Sequence, residues 1–331
     1  MDFEIFILTR NRLPMLKQAI DSALRQTVAV RRITVMDNAS EDGTEDYVRS
    51  VAAEHGCVSL SRKASPVDVS ANMKTAVDMA VSDYFTVMHD DDILSPSYAE
   101  AVGAVVKEVP SATMISVAQR IFGGEDHDFS DCASDIDFEV YDNGADFAIG
   151  DFIRFLSDQS GSVCFPAVVY SRDSVSRIGL DMSRFGKICD KPFVYDSMGA
   201  GPVVRILKPL YNYRLHGGQD SSCSMNGPYP DEILNLLEKQ RKLFSSDASH
   251  QKIFDSLSVL WMKSLYFWGR NPKSEWRKFF RMAKDRGLVR GFLSKPWKHW
   301  LWRALTNRKV SGFQKSRMPA VEHIALKGEE P

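Results

Sequence analysis

The chain has 331 residues, of which 44% are apolar, 26% charged and 11% aromatic, enough to bury one large core or two smaller ones and incompatible with a disordered or fibrous protein. Its 42 Lys and Arg against 43 Asp and Glu leave a formal charge of −1, which excludes a uniformly basic nucleic-acid binder. The average conceals a division, because residues 1–150 carry 26 acidic and 12 basic side chains, residues 151–331 carry 17 and 30, and beyond residue 250 there are 18 basic against 6 acidic. An acidic front with a basic appendage suits contact with an anionic surface. The five cysteines (Cys57, Cys132, Cys164, Cys189, Cys223) are odd in number and form no CxxC pair, so a reducing cytoplasm is expected rather than a disulfide framework or zinc knuckle. The N-terminus opens directly into an apolar run without a signal pattern, and no 18-residue apolar stretch occurs, so no membrane span is expected.

Phe3–Leu8 reads as a strand ending in Thr9-Arg10-Asn11-Arg12, and from Pro14 the residues Leu16, Ile20, Ala23 and Leu24 fall at helical spacing. A second strand, 32–36, runs into Asp37-Asn38-Ala39-Ser40-Glu41-Asp42-Gly43-Thr44, a cluster of turn and capping residues ahead of another amphipathic stretch. Residues 72–81 form a helix and 84–88 a buried strand that stops at His89-Asp90-Asp91-Asp92. This alternation predicts an α/β fold with a mostly parallel sheet, whose ligands bind at the carboxyl edge where these polar clusters lie. Residues 123–158 read as acidic loops over the sheet, 163–170 as a strand, 173–178 and 187–198 as helices, and 203–207 and 210–213 as closing strands. After Gly217-Gly218 and Asn226-Gly227-Pro228 the remainder reads as helical, giving a division at 1–225 and 226–331.

Three adjacent carboxylates repel one another unless a cation or donors stand nearby. A hard divalent ion such as Mg²⁺ or Mn²⁺ needs only one or two carboxylates when substrate phosphates fill its other positions. An isolated run of three acids is equally well read as solvated capping groups ahead of Ser95-Pro96.

With the two earlier loops in front of it, however, the sequence resembles the family 2 glycosyltransferases, in which a T-Y-N-R loop, a D-N-x-S-x-D-G-T loop and an H-D-D-D loop follow successive strands. The similarity continues through Asn72, Gly179, Asp190 and Tyr213-Arg214-Leu215-His216, about 1–222. The resemblance implies a GT-A fold and a nucleotide-diphosphate sugar donor, UDP-sugar favoured. Thr9, Asn11 and Arg12 are then expected around the nucleotide, Asp37 on the base, Asp90 on the ribose, Asp91 on a Mn²⁺ or Mg²⁺ bridging the diphosphate, and Asp92 on the loop or the metal waters. Asn72 lacks the family's preceding Arg, since Ala71 stands there, leaving Arg62, Lys63 or Lys74 to replace it. Asp190 matches the acceptor-activating base, although Cys189 replaces the Glu beside it. A helix-starting acid has a dipole role as an alternative. In the Y-R-x-H loop, Arg214 would meet the diphosphate and His216 the metal, while His89 reads as strand-end packing.

Two patterns in the C-terminal part, Trp276/Phe279/Phe280/Ala283 and Trp297/Trp300/Leu301/Leu305, form apolar faces edged by Lys and Arg. They fit docking on the catalytic part or on a second subunit as a homo-oligomer, or an interfacial helix pair on anionic lipid. Together these readings predict an inverting, metal-dependent glycosyltransferase acting on a glycan, lipid-linked in surface polysaccharide synthesis (O-antigen or capsule), cytoplasmic and peripheral on the inner membrane face. A non-catalytic nucleotide-sugar or glycan binding protein on the same fold is the alternative suggested by Cys189 and Ala71. A nucleotidyltransferase lacks its glycine-rich first loop here, and the acidic catalytic half argues against nucleic acid.

Overall fold

The computed structural model describes residues 2–123, 129, 135–157, 162–217 and 230–244, scattered positions between 248 and 284, and the strand 322–327. Along β1 (Phe3–Thr9), Phe3, Ile5 and Ile7 enter one apolar cluster while Phe6 and Leu8 enter another. A strand buried on both faces needs a helical layer on each. Leu16 and Ile20 of α1 (Leu13–Leu24), Val48 of α2 (Thr44–Glu54) and Val102 of α4 (Tyr98–Glu108) cover one face. Met73 of α3 (Val69–Met79), Phe152 of α5 (Gly144–Ser157), Phe193 of α8 (Asp190–Met198) and Leu236 of α9 (Pro230–Arg241) cover the other. Two one-turn helices, α6 (Arg172–Val175) and α7 (Met182–Phe185), lie between. Glu4 is the buried acid of β1; it pairs with Arg32 and accepts the N–H groups of Val81 at 2.7 Å and Ser82 at 2.8 Å.

β2 (Arg32–Asp37), β3 (Val58–Arg62) and β4 (Tyr84–His89) pair parallel around β1 in the order β3-β2-β1-β4. The chain builds outward from β1 to β3 and then returns to the other side of β1, so the crevice beside the β1 and β4 carboxyl ends is the topological switch point. The sheet continues through β8 (Val168–Ser171), antiparallel to β4, to β6 (Met114–Phe122), β9 (Val203–Arg214), β7 (Asp135–Tyr141) and β10 (Glu322–Lys327). The two-residue β5 (Ile93–Leu94) adds to β9 just after the acidic triplet.

Several expectations need correction. The stretch 123–158 holds β7 and α5, rather than loops alone: Ile136 and Phe138 are buried in the core, and Asp137 between them is exposed. The strand expected over 163–170 begins only at Val168, because Phe165–Ala167 is a 3₁₀ turn containing Pro166, which has no N–H for a ladder. The helix over 187–198 starts at Asp190 after a 3₁₀ turn at Gly186–Ile188, and that over 173–178 shrinks to α6. The two closing strands are one, β9, whose register shifts opposite Val117–Gln119 and so admits Pro209. The remainder beyond 226 is not wholly helical, since β10 pairs antiparallel with β7. Trp276, Phe279, Ala283, Trp297, Trp300, Leu301 and Leu305 lie outside the described residues, whereas Phe280 packs against the α5–α8–α9 core.

Candidate active site

Three loops leave the carboxyl ends of β1, β2 and β4 and are stitched to one another before any ligand arrives. Asn11 adopts φ 53°, a left-handed conformation that Asn tolerates better than most side chains. In that pose its N–H donates to Ser40 Oγ at 2.9 Å and its Oδ1 accepts from Glu41 N at 2.8 Å, locking the first loop to the second. Leu13 N donates to Asp42 Oδ2 at 2.8 Å, and Thr9 Oγ1 donates to Asp90 Oδ2 at 2.7 Å, tying the first loop to the third. Thr9 and Asn11 are therefore brought to the expected crevice, with Asn11 acting as a loop brace.

The acids sit at the end of β4 and are nearly withdrawn from solvent, with Asp90 2%, Asp91 5% and Asp92 0% exposed. Such burial requires compensation. Arg12 supplies it from one side, with Nη1 at 3.3 Å from Asp90 Oδ1 and 3.2 Å from Asp91 Oδ2. From the other side, Tyr211 Oη donates to Asp92 Oδ2 at 2.6 Å, Arg214 N donates to Asp92 Oδ1 at 3.0 Å, and Arg214 Nε donates to the Asp91 carbonyl at 2.8 Å. Arg214 also reaches Gln18 Oε1 and lies over the Phe122 ring at 4.6 Å, so it braces the triplet from beneath. His216 Nε2 stands 2.9 Å from Asp91 Oδ2. Burial nevertheless dominates: it pushes the Asp90 carboxyl up to about 6 against the pull of Thr9 and Arg12, and the Asp92 carboxyl up to about 7. Both carboxylates would be relieved by a further positive charge.

His89, Asp91 and Asp92 each offer a ligand atom, all within 4.8 Å of one another. Two carboxylates and an imidazole fit the donor chemistry of Mn²⁺ or Mg²⁺, ions that complete their coordination with phosphate and water oxygens. His89, expected only to pack at the strand end, thus joins the acids. The two Asp92 oxygens already accept from Tyr211 and Arg214, which makes this residue the organiser of the loop.

At the carboxyl end of β2 Asp37 is fully buried, and Asn72 donates from Nδ2 to Met36 O at 2.8 Å while its Oδ1 has no partner. Among the cations expected to replace the Arg absent at 71, Arg62 is committed to Asp37, Lys63 Nζ donates to Thr75 Oγ1 at 2.7 Å, and Lys74 pairs with Asp78. Arg12 is the cation held against the acids. Asp190 opens α8. Burial raises its carboxyl above the ordinary value of 3.8, opposed by Lys191, by the Lys191 N–H and by His89, whose field it shares. Cys164, whose thiol donates to Gln119 Oε1 at 3.1 Å, feels Lys191, Asp92 and Asp190. It therefore sits between the acids and α8. Sequence reasoning missed Gln119 of β6 and Tyr211 of β9, and Cys164 just ahead of the Phe165–Ala167 turn; only the closing-strand assignment around residues 210–213 gave any hint of Tyr211.

Residues 4–139 match the model of the Glycosyl transferase family 2 family. No curated protein matches the chain significantly. Among solved structures, S. aureus TarS 1-349 in complex with UDP-GlcNAc is 13% identical over 86% of this chain and 80% of that chain, with a TM-score of 0.58. The mannosyltransferase PcManGT from Pyrobaculum calidifontis in complex with GDP-Man and Mn²⁺ is 13% identical over 96% of this chain and 88% of that chain, with a TM-score of 0.51. At such identities the likeness is one of fold. The family match ends before Asp190 and before Tyr211–His216.

Proposed function

Given that the chain belongs to glycosyltransferase family 2 and carries the GT-A fold of a nucleotide-sugar transferase, we propose that it transfers a sugar, with inversion, from a nucleoside diphosphate to a hydroxyl of a glycan. The observation that carries this reading is the buried triplet at the switch point, whose carboxylates are partly compensated by Arg12, Tyr211 and Arg214 and face an imidazole on either side. In this reading Asp90, fixed by Thr9, receives the ribose hydroxyls, and the Arg12 guanidinium beside the acids meets the charge of the diphosphate. A Mn²⁺ or Mg²⁺ held by Asp91 and Asp92 with His89 or His216 would supply charge that stabilises the departing diphosphate. Asp190 takes the proton from the acceptor hydroxyl as that oxygen bonds to the anomeric carbon, and the bond from that carbon to the phosphate oxygen breaks with its electron pair leaving on the diphosphate. Its raised pKa makes it a stronger base than an exposed aspartate.

The charge of the C-terminal part supports the rest of the proposal. Eighteen basic residues against 6 acidic ones beyond residue 250 suit a lipid-linked glycan acceptor at an anionic membrane face, as in synthesis of O-antigen or capsule. Asp91→Asn tests the core of the reading. It should lower both sugar transfer and donor hydrolysis by about 100-fold or more and abolish the thermal shift given by Mn²⁺ with nucleotide. Wild-type rates in that variant would remove the assignment.

A further inference from the structure

Arg12 ends the first loop and stands at the start of α1. Its carbonyl accepts Met15 N at 3.0 Å and Leu16 N at 2.9 Å, so the first turn of that helix fixes its main chain. Its side chain reaches the end of β4, where Nη1 lies 3.3 Å from Asp90 Oδ1 and 3.2 Å from Asp91 Oδ2. The His216 ring approaches the same Asp91 oxygen, with Nε2 at 2.9 Å. The two arginines at the triplet are placed differently. Arg214 is 5% exposed, and its guanidinium serves the Asp91 carbonyl, Gln18 and the Phe122 ring. Arg12 has 26% of its side chain exposed and bridges carboxylate oxygens of two residues.

A carboxylate oxygen offers two lone-pair directions, so with the guanidinium and the imidazole beside it Asp91 Oδ2 has the neighbours it can take. A divalent ion arriving on Asp91 must displace one of them or share the carboxylate with a unit positive charge. Sharing is unfavourable, because like charges repel and both acids are withdrawn from the water that would screen them. The contact that makes burial of the acids tolerable is therefore also an obstacle to the ion. We infer that Arg12 is the resident counter-cation of Asp90 and Asp91 in the nucleotide-free protein, an autoinhibitory contact that competes with a divalent ion for Asp91. This rests on the proposal that Asp91 is a metal ligand, and it is independent of which residue takes the acceptor proton.

The test is Mn²⁺ binding to the full chain without nucleotide, read from the paramagnetic resonance signal of the free ion. Wild type, Arg12→Gln, Arg12→Lys and the double variant Arg12→Gln/Asp91→Asn are compared. Arg12→Gln should bind Mn²⁺ about tenfold or more tightly than wild type, as expected when a unit charge beside a nearly buried carboxylate is removed. Arg12→Lys, which keeps the charge, should stay within about threefold of wild type, and the double variant should lose the added affinity. Equal or weaker Mn²⁺ binding in Arg12→Gln overturns the inference, because a residue that only braces the loop gives that result. Binding by Arg12→Lys as tight as by Arg12→Gln overturns it as well, since the charge is then not what matters. If Arg12→Gln is unfolded in EDTA, refolding on addition of Mn²⁺ is the expected result read through stability, and failure to refold overturns the inference. Failure of the metal assignment itself appears differently, as no Mn²⁺ bound by any of the four proteins, and removes the inference with it.

Discussion

Asp190 makes the sharpest single-residue claim. A general base acts in the transition state, so Asp190→Asn should reduce kcat by about 100-fold or more while leaving the Kd for nucleoside diphosphate within about threefold of wild type. Loss of nucleotide affinity instead would move the residue to donor binding. Its burial also sets a pH dependence. The folded protein holds the Asp190 proton at pH values where an exposed aspartate, at 3.8, has lost it. Only the ionised form accepts a proton, so kcat should fall as pH decreases through the raised value, giving an acid limb above the ordinary aspartate range that Asp190→Asn removes. The adjacency of Asp90, Asp91 and Asp92 was visible in the chain, because neighbours in sequence at a strand end are neighbours in space. The partners that make their burial possible were not, since Tyr211 and Arg214 reach them from another strand. Nor does anything near Asp37 in sequence announce Arg62, which meets it because β2 and β3 run parallel in register with Asp37 opposite Arg62.

At the scale of elements, the placement of Asp190 depends on how α5 meets α8. A Cβ placed on Gly144, the first residue of α5, would lie 1.8 Å from the Met198 carbonyl at the end of α8 and 2.3 Å from that of Gly201 in the turn after it. Gly144→Ala therefore forces the two helix ends apart, and denaturant titration should show a loss of about 3 kcal/mol. An unchanged midpoint would mean the contact is absent in solution. Buried Asp151 of α5 adds a second tie, accepting from Val163 N at 2.9 Å and from the Tyr195 hydroxyl at 3.1 Å, so the segment carrying Cys164 is fixed to α8 as well. β1, β2 and β4 were legible because their apolar runs end abruptly in polar clusters. β7 escaped because its acidic content suggested a loop, although Ile136, Phe138 and Val140 keep a strict period of two. β9 was read as two pieces because Pro209 suggests a break, whereas a bulge in the pairing with β6 absorbs it.

For the whole molecule, the charge division and the fold bear on where it works. Leu236 and Leu237 of α9 and the rings of Phe244 and Phe254 join Phe152 in one core, with the Phe244 and Phe254 centroids 4.7 Å apart, so the chain beyond the sheet begins as part of the same body. No described helix is long and apolar enough to cross a membrane. If the basic C-terminal part meets anionic lipid, the chain should co-sediment with vesicles containing phosphatidylglycerol and remain in the supernatant with neutral vesicles, and about 0.5 M salt should release it. Retention in the supernatant with both would leave the aromatic faces to a protein contact.

The partners of the triplet carry one more implication, for how the enzyme could be divided. Asp92 is held by side-chain and main-chain donors 119 and 122 residues further along, on a strand well past the stretch that matches the family. A fragment ending at residue 139 would keep every loop by which the family is recognised, yet its aspartates would lack two of the donors that make their desolvation tolerable. The portion that declares kinship is thus not a portable module: its chemistry is completed by chain that emerges from the ribosome later.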